Sequence, residues 1–409
     1  MKRSEHGVVV IGGGVVGAAC AYHLSSDGWK VTLVDRGKFG RGCSHANCGY
    51  VCPSHVLPLA TPGVVGKTLR GMLSSNSAFR IKPRLSLQLF TWLWSFARRC
   101  NVHDMMRSAK AIQALLNSSR RLYDDWIRDE FLDCDWQSRG LLFVFQTDEA
   151  MEHYAATDRL LRDEFQMPAR RFDGGEVNRL EPALRPGLAG GWLYESDAHL
   201  RPDRLMAELR RVLENRGVTI HEDWPVRELV RDKGRVAGAT GDRGTIRGSH
   251  FVFATGAWTP LLERQLGCRV PIQPRKGYSI TMPRPSVCPV HPLIFEEHRV
   301  AVTPFADGYR IGSTMEFAGY DETLNRSRLE LLTRGASHYL LEPTTEPVQE
   351  EWYGWRPMTT DSRPIIDRSP RWPNVWVAAG ANIAGPAMAP PAVAATATGS
   401  PQTPERPAT

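Results

Sequence analysis

The sequence predicts an α/β protein of two domains, one doubly wound around a parallel sheet and the other α+β with a mainly antiparallel sheet. Three observations carry that expectation. Near the start, Val8–Ile11 is an apolar run without alternation, as in a strand buried on both faces of a parallel sheet. A glycine-rich turn, a stretch with helical period and a second apolar run ending in an acid all follow by residue 35. Farther on, residues 270–345 hold three apolar stretches, 277–281, 300–304 and 309–314, separated by short polar turns, the pattern of hairpin-linked strands. The length of 409 residues is roughly two to three times that of a common domain and agrees with two of them.

Composition narrows the function classes. Hydrophobic residues make up 42% and charged residues 23%, which excludes disordered, collagen-like and coiled-coil chains. Lys plus Arg number 51 against 44 Asp plus Glu, a net +7 that suits anionic small molecules or an anionic membrane surface. Nucleic acid is not expected as a partner, because the basic residues are scattered and no nucleic-acid module motif occurs. Eight cysteines in a chain that opens on a strand, with no charged-then-apolar leader, point to a reducing, cytoplasmic setting without a signal peptide. Cys43, Cys48 and Cys52 match neither zinc pairs nor ferredoxin runs, so free thiols and no metal are expected. No apolar run reaches the roughly 18 residues of a membrane-spanning helix.

The first sixty residues carry the strongest motif. Gly12, Gly14 and Gly17 complete G-x-G-x-x-G directly after the first strand, and a helix opens at Val15 and Val16 with Ala18, Ala19 and Ala21 facing the sheet. Gly12 serves the tight turn, Gly14 lets backbone approach a pyrophosphate, and Gly17 lets helix and strand pack closely; the helix N-terminus offers free N–H groups to the anion. A second strand, Val31–Val34, ends in Asp35, placed to accept bonds from a ribose hydroxyl. The unit is a Rossmann-type dinucleotide site.

The run Gly42-Cys43-Ser44-His45-Ala46-Asn47-Cys48-Gly49, leading into Pro58-Leu59-Ala60-Thr61-Pro62-Gly63, resembles the flavin-contacting stretch of FAD-dependent D-amino-acid dehydrogenases. These belong to the D-amino-acid oxidase and glycine oxidase superfamily. The resemblance makes FAD the expected cofactor. It implies a Rossmann-type FAD-binding domain in three segments, 1–85, 191–262 and 346–390, around a substrate domain of 86–190 and 263–345. Motif and resemblance together give as cofactor-binding Gly12, Gly14, Val15, Val16, Gly17, Asp35, Arg36, Ser44, Asn47, Gly49, Val226, Thr255, Gly256, Gly380 and Gly385.

Between these segments, residues 80–100 are apolar nearly all round, with Arg80, Lys82 and Arg84 before and Arg98 and Arg99 behind. Such a stretch is most often a core helix of a substrate domain; its other use is an interfacial helix on a membrane. Residues 105–130 and 150–166 read as amphipathic helices, and a helix over 204–215 stops at Gly217 before a strand at 218–221. Strand 251–254 runs into Thr255-Gly256, where bare backbone can meet the cofactor.

Oxidising an amino acid on a flavin requires holding one carboxylate and aiming one Cα–H bond. A guanidinium does this with two parallel charge-assisted bonds. Arg356, in Gly354-Trp355-Arg356-Pro357, matches the superfamily motif whose arginine binds the substrate carboxylate, and Tyr278 in Lys276-Gly277-Tyr278-Ser279 is the second candidate, as a phenol near substrate or flavin. No Ser-His-Asp set, carboxylate pair or metal spacing stands out, which fits hydride transfer from a neutral amine without an enzymic base. Ala301, where the oxidases commonly have tyrosine, favours a dehydrogenase of D-amino or cyclic D-imino acids that passes electrons to a quinone or other carrier, peripheral on the cytoplasmic face of the membrane. Two alternatives stay open: an oxygen-using glycine or sarcosine oxidase, and a silent flavin-binding protein. The second arises because Ala381 replaces the family's usual histidine, and because 391–409, rich in Ala, Thr and Pro, reads as a disordered tail where the family has a helix.

Overall fold

The computed structural model describes residues 7–66, 79–82, 86–383 and 385–388. The tail at 391–409 and Arg84 lie outside the described residues. A six-stranded sheet runs Ile365–Arg368, Val375–Ala379, His250–Phe253, Val8–Ile11, Val31–Val34, Thr219–His221, parallel throughout except for its first pair. Its strands are apolar on both faces because both faces are covered. Val8, Val10, Leu33 and Val252 pack against helices Val15–Ser26 and Pro202–Asn215. On the other side Val9, Ile11, Val34, Phe251 and Phe253 meet Leu229, Val236 and Ala239 of a small antiparallel sheet, Glu228–Asp232, Arg235–Gly241, Gly244–Arg247. Each fully buried Val, Ile or Phe contributes about 1.5–3 kcal/mol. The α/β expectation and the Rossmann-type core are both met.

The second sheet has nine strands. Eight follow the order Glu350–Met358, Gln273–Met282, Tyr309–Phe317, Val300–Pro304, Leu293–Phe295, Leu141–Phe145, Gly190–Tyr194, Arg170–Asp173, and Phe79–Ile81 pairs alongside Tyr309–Phe317. Most pairs are antiparallel; Phe79–Ile81 and the Leu141–Phe145 pair with Leu293–Phe295 are parallel. One face carries a closed core of Tyr278, Ile280, Leu293, Phe295, Ile311, Leu329 and Leu332.

This pairing moves three of the expected boundaries. Phe79–Ile81 already belongs to the second sheet, before residue 86. Gly190–Tyr194 is one continuous strand of that sheet across the 190/191 division. Glu350–Met358, the strand of Arg356, pairs with Gln273–Met282 and so lies in the second sheet rather than the dinucleotide domain. An apolar strand looks alike in either sheet, so the sequence holds no signal for the crossing.

Residues 87–99 form a helix, Leu87–Arg99, that fits neither a fully buried nor a plainly amphipathic pattern. Leu89 and Trp92 are buried against Phe317 and Met358, and the Trp92 indole N–H donates to the Met358 carbonyl at 3.1 Å. Leu87, Phe90 and Trp94, at i, i+3 and i+7, are 79%, 66% and 62% exposed. The core-helix reading therefore holds for one side only.

Candidate active site

The glycine-rich turn is built as its spacing requires. Gly12 adopts φ +114, a conformation side chains disfavour, and a Cβ there would stand 2.4 Å from the Ala254 carbonyl oxygen. A Cβ at Gly17 would stand 1.7 Å from the Gly12 carbonyl oxygen, so helix and turn are in backbone contact. Gly14 is different: a Cβ there would meet only the Ser44 hydroxyl, at 3.3 Å. That side of the turn is open, and it lies at the N-terminus of helix Val15–Ser26, whose first turn holds no acidic residue. Backbone N–H groups, helix dipole and space thus converge on a place for an anion.

Asp35 closes the turn from the second strand. Its carboxylate accepts the Gly13 amide at 2.6 Å and the Gly37 amide at 2.8 Å, which leaves lone pairs for a ribose. The Arg36 guanidinium lies over the Trp258 ring, 3.9 Å from its centroid. The Trp224 amide donates to the Asp35 carbonyl at 2.7 Å, which brings the segment carrying Val226 beside Asp35. Thr255 and Gly256 follow Ala254, the residue packed on Gly12, and open a 3-10 helix, Gly256–Leu262.

Ser44, Asn47 and Gly49 belong to a loop that is stitched to itself and to both sheets. The Ser44 hydroxyl accepts the Val15 amide at 2.9 Å. Asn47 donates to the Cys43 and Ser44 carbonyls and accepts from the Gly49 amide. From the second sheet, the Ser279 hydroxyl donates to the Ala46 carbonyl, the Thr303 hydroxyl to that of Cys48, and the buried Arg310 guanidinium to that of Asn47. The loop is thus held between the dinucleotide turn and one face of the second sheet. Gly380 is brought in by Asn382, which accepts from the Thr359 amide and donates to the Gly380 carbonyl. Gly385 opens the short helix Gly385–Met388, and a Cβ on it would meet nothing within 4 Å.

Arg356 projects over that same sheet face. Its guanidinium lies on the bare backbone of Gly277, where a Cβ would come within 2.5 Å of Cζ. It donates to the Ser313 carbonyl at 3.0 Å and more weakly to that of Thr314. Both bonds come from Nη1, so that nitrogen faces the back and the rest of the fork is left for a ligand. Arg275 sits directly opposite Arg356 on the neighbouring strand and is pushed down to about 9 by burial and by the Arg356 charge. The Arg275 guanidinium lies over the Phe317 ring, 5.1 Å from its centroid. Burial raises the Cys43 and Cys48 thiols, and the Arg356 charge works the other way at both, which places the guanidinium beside the loop.

The sheet face is asymmetric in a telling way. Ile294, Ser313, Met315 and Arg356 keep partial exposure, whereas Leu293, Phe295, Ile311 and Tyr278 on the other face are buried. On the face with partial exposure Gly277 lies under the Arg356 guanidinium and Gly312 under the Cys48 sulfur, and this face looks toward the loop of Ser44 and Asn47.

Tyr278 is not at this site. It points to the opposite face, its ring in the core of the second domain and its hydroxyl donating to Glu316 at 2.7 Å. Ser279 and Gly277 face the loop, and Tyr278, between them, cannot. Three contributors escaped the sequence reading. Ser313, at φ +117, holds a conformation rare for a residue with a side chain and presents the carbonyl that anchors Arg356. It lies in a bulge between the strands of Gly277 and Gly312, for which Gly312 was the available signal. Arg310 and Asn382 act through side-chain bonds to distant backbone, which leave no local pattern.

The residues present fit a bound dinucleotide at the turn and an amino-acid carboxylate at Arg356. Comparisons with known proteins give the family. The profile of the family described as FAD dependent oxidoreductase matches residues 7–398. D-amino acid dehydrogenase of Methylobacterium nodulans is 33% identical over 370 residues, covering 88% of this chain and 87% of that protein. The protein of the same name from Granulibacter bethesdensis is 31% identical over 367 residues. Among solved structures, glycine oxidase from Geobacillus kaustophilus superposes with a TM-score of 0.78 at 20% identity, covering 97% of this chain and 96% of that one. Iminodiacetate oxidase from Chelativorans gives 0.71 at 22% identity, covering 97% of both chains.

Proposed function

Because the chain belongs to the FAD dependent oxidoreductase family, we propose that it oxidatively deaminates D-amino acids or cyclic D-imino acids and hands the electrons to a quinone or another carrier. The observation that carries the reading is Arg356, braced from behind by two carbonyls and opposite a second buried arginine. A carboxylate seated at Arg356 is paired by the fork, and bidentate pairing fixes its plane. When bound, FAD supplies the two-electron acceptor for the α-hydrogen. The polypeptide's share is orientation. The Arg356 fork sets the carboxylate, and the Ser44–Asn47 loop fixes the distance between sheet face and dinucleotide turn. A substrate amine entering neutral needs no base, and the iminium formed hydrolyses to a keto acid and ammonia, or from a cyclic imino acid to an amino keto acid.

The test is anaerobic. Purified yellow protein should bleach on addition of D-amino or D-imino acids and not of their L-enantiomers, reduce a quinone or an artificial dye, and release little peroxide in air. Stoichiometric peroxide would move it to the oxidases, and no bleaching with any such acid would defeat the reading.

Electron delivery to a membrane quinone needs a docking face. No helix among the described residues is long and apolar enough to cross a membrane. The exposed stripe Leu87, Phe90 and Trp94, ending at Arg98 and Arg99, is suited to shallow insertion into an anionic surface. The indole of Trp92 ties this helix to Met358, two residues past Arg356. Phe90→Glu with Trp94→Glu removes about 3 kcal/mol or more of apolar burial, so binding to anionic vesicles should fall on the order of a hundredfold. Dye-linked turnover in solution should be unchanged. Wild-type protein that fails to sediment with vesicles would remove the membrane from the proposal.

A further inference from the structure

Cys52, His55 and Asp197 meet where the strand leaving the cofactor loop pairs with Ala198–His199. The Cys52 sulfur, a ring nitrogen of His55 and a carboxylate oxygen of Asp197 all lie within 4.8 Å of one another. We propose that these three side chains bind a single borderline-soft divalent cation, Zn2+ foremost, with a fourth position left to water.

Residue chemistry comes first. Thiolate, imidazole and carboxylate are the ligand types of zinc, and three of them with one open position is a common zinc geometry. The ligands come from residues 52, 55 and 197, so the Cys43-Cys48-Cys52 spacing in the sequence was the wrong set to inspect.

The surroundings hold the ligands in place without using up their capacity. Both Asp197 oxygens accept from Ser54, one from its amide at 3.0 Å and one from its hydroxyl at 2.5 Å, and each keeps a further lone pair. Such outer hydrogen bonds orient a metal-binding carboxylate. The His55 amide donates to the Cys52 carbonyl at 3.1 Å, and its ring lies 5.8 Å from that of Phe143. A second observation is independent of the cluster's composition. The Nδ1 of His55 is buried and has no hydrogen-bond partner among the described residues. A buried imidazole nitrogen left so calls for a ligand or a proton.

Charge balance suits a dication. A thiolate and a carboxylate together carry two negative charges, which one Zn2+ cancels as the thiol proton is released. Partial exposure of His55 provides the approach.

The site would act as a staple. Tyr50–Val51, leaving the cofactor loop, pairs with Ala198–His199, and the ligands sit immediately after the first segment and immediately before the second. A cation there fixes the crossing of the two segments.

Flavin-loaded protein stripped with a chelator should take up one equivalent of Zn2+ per chain by mass spectrometry of the metal, and melt at a higher temperature with it. Titration with Co2+ should give a thiolate charge-transfer band that Cys52→Ser abolishes. Losing a ligand costs more than losing one of the outer hydrogen bonds that orient it, so His55→Ala should weaken binding about a hundredfold or more. Asp197→Asn should do the same. His55→Ala breaks no side-chain hydrogen bond at Nδ1 and so keeps the test decisive if Asp197→Asn fails to fold. His153→Ala, at an exposed position, should bind as wild type. No uptake by wild-type protein, or equal uptake and an unchanged band in Cys52→Ser, overturns the site.

Discussion

Arg356→Ala is expected to keep its flavin and lose about a thousandfold in kcat/KM toward D-amino acids. The magnitude follows from removing one partner of a charge-assisted, partly buried pair, about 4 kcal/mol. Arg356→Lys should recover only part of this, because an ammonium gives one directed bond where the fork gives two. Flavin content should not change, since the hydrogen bonds of Arg356 go to the Ser313 and Thr314 carbonyls of the second sheet and not to the dinucleotide turn. The sharper readout is a substrate without a carboxylate. If the guanidinium acts by holding that group, the slow oxidation of a simple amine should be nearly the same in wild type and variant. If Arg356 only braces the Ser313 bulge, amine and amino acid should suffer alike. Equal losses for both, or wild-type kinetics with D-amino acids, would remove the guanidinium from substrate binding.

How much of this could be read in advance depends on how local each feature is. The turn from Gly12 to Gly17 and Asp35 is legible because strand, turn, helix and acid lie within one short stretch, and each glycine answers a local steric demand. Arg356 was legible only through its motif; nothing in its neighbours tells that its strand pairs with Gln273–Met282. Tyr278 was misplaced for a related reason. The strand Gln273–Met282 is buried at every position, so the alternation that would assign faces is missing, and the choice between the face of Ser279 and the face of Ile280 rests on tertiary packing. The bulge that raises Ser313 is a register shift between two strands, a property of their pairing and not of either sequence. The same holds for Cys52, His55 and Asp197, which meet only because Tyr50–Val51 and Ala198–His199 pair.

Two glycines of one motif should fail in opposite ways. At Gly17 a Cβ would stand 1.7 Å from the Gly12 carbonyl oxygen, and both atoms belong to backbone that cannot step aside without parting helix Val15–Ser26 from its strand. Gly17→Ala should therefore cost about 3 kcal/mol or more and lower the melting temperature of flavin-free protein by roughly 4 °C or more. At Gly14 the backbone is extended, with φ −78, and a Cβ meets only the Ser44 hydroxyl at 3.3 Å. Alanine fits the polypeptide there. What it fills is the open side of the turn, the space an anion must enter to reach the helix N–H groups. Gly14→Ala should melt like wild type when both are stripped of flavin, and bind FAD on the order of a hundredfold more weakly, the loss of roughly 3 kcal/mol of charge-assisted bonding. A purely architectural motif would make the two variants alike in melting and in flavin affinity. A binding motif separates them, because the first glycine is small for the sake of the protein and the second for the sake of its ligand. Unchanged flavin affinity in Gly14→Ala would place the pyrophosphate somewhere other than this turn.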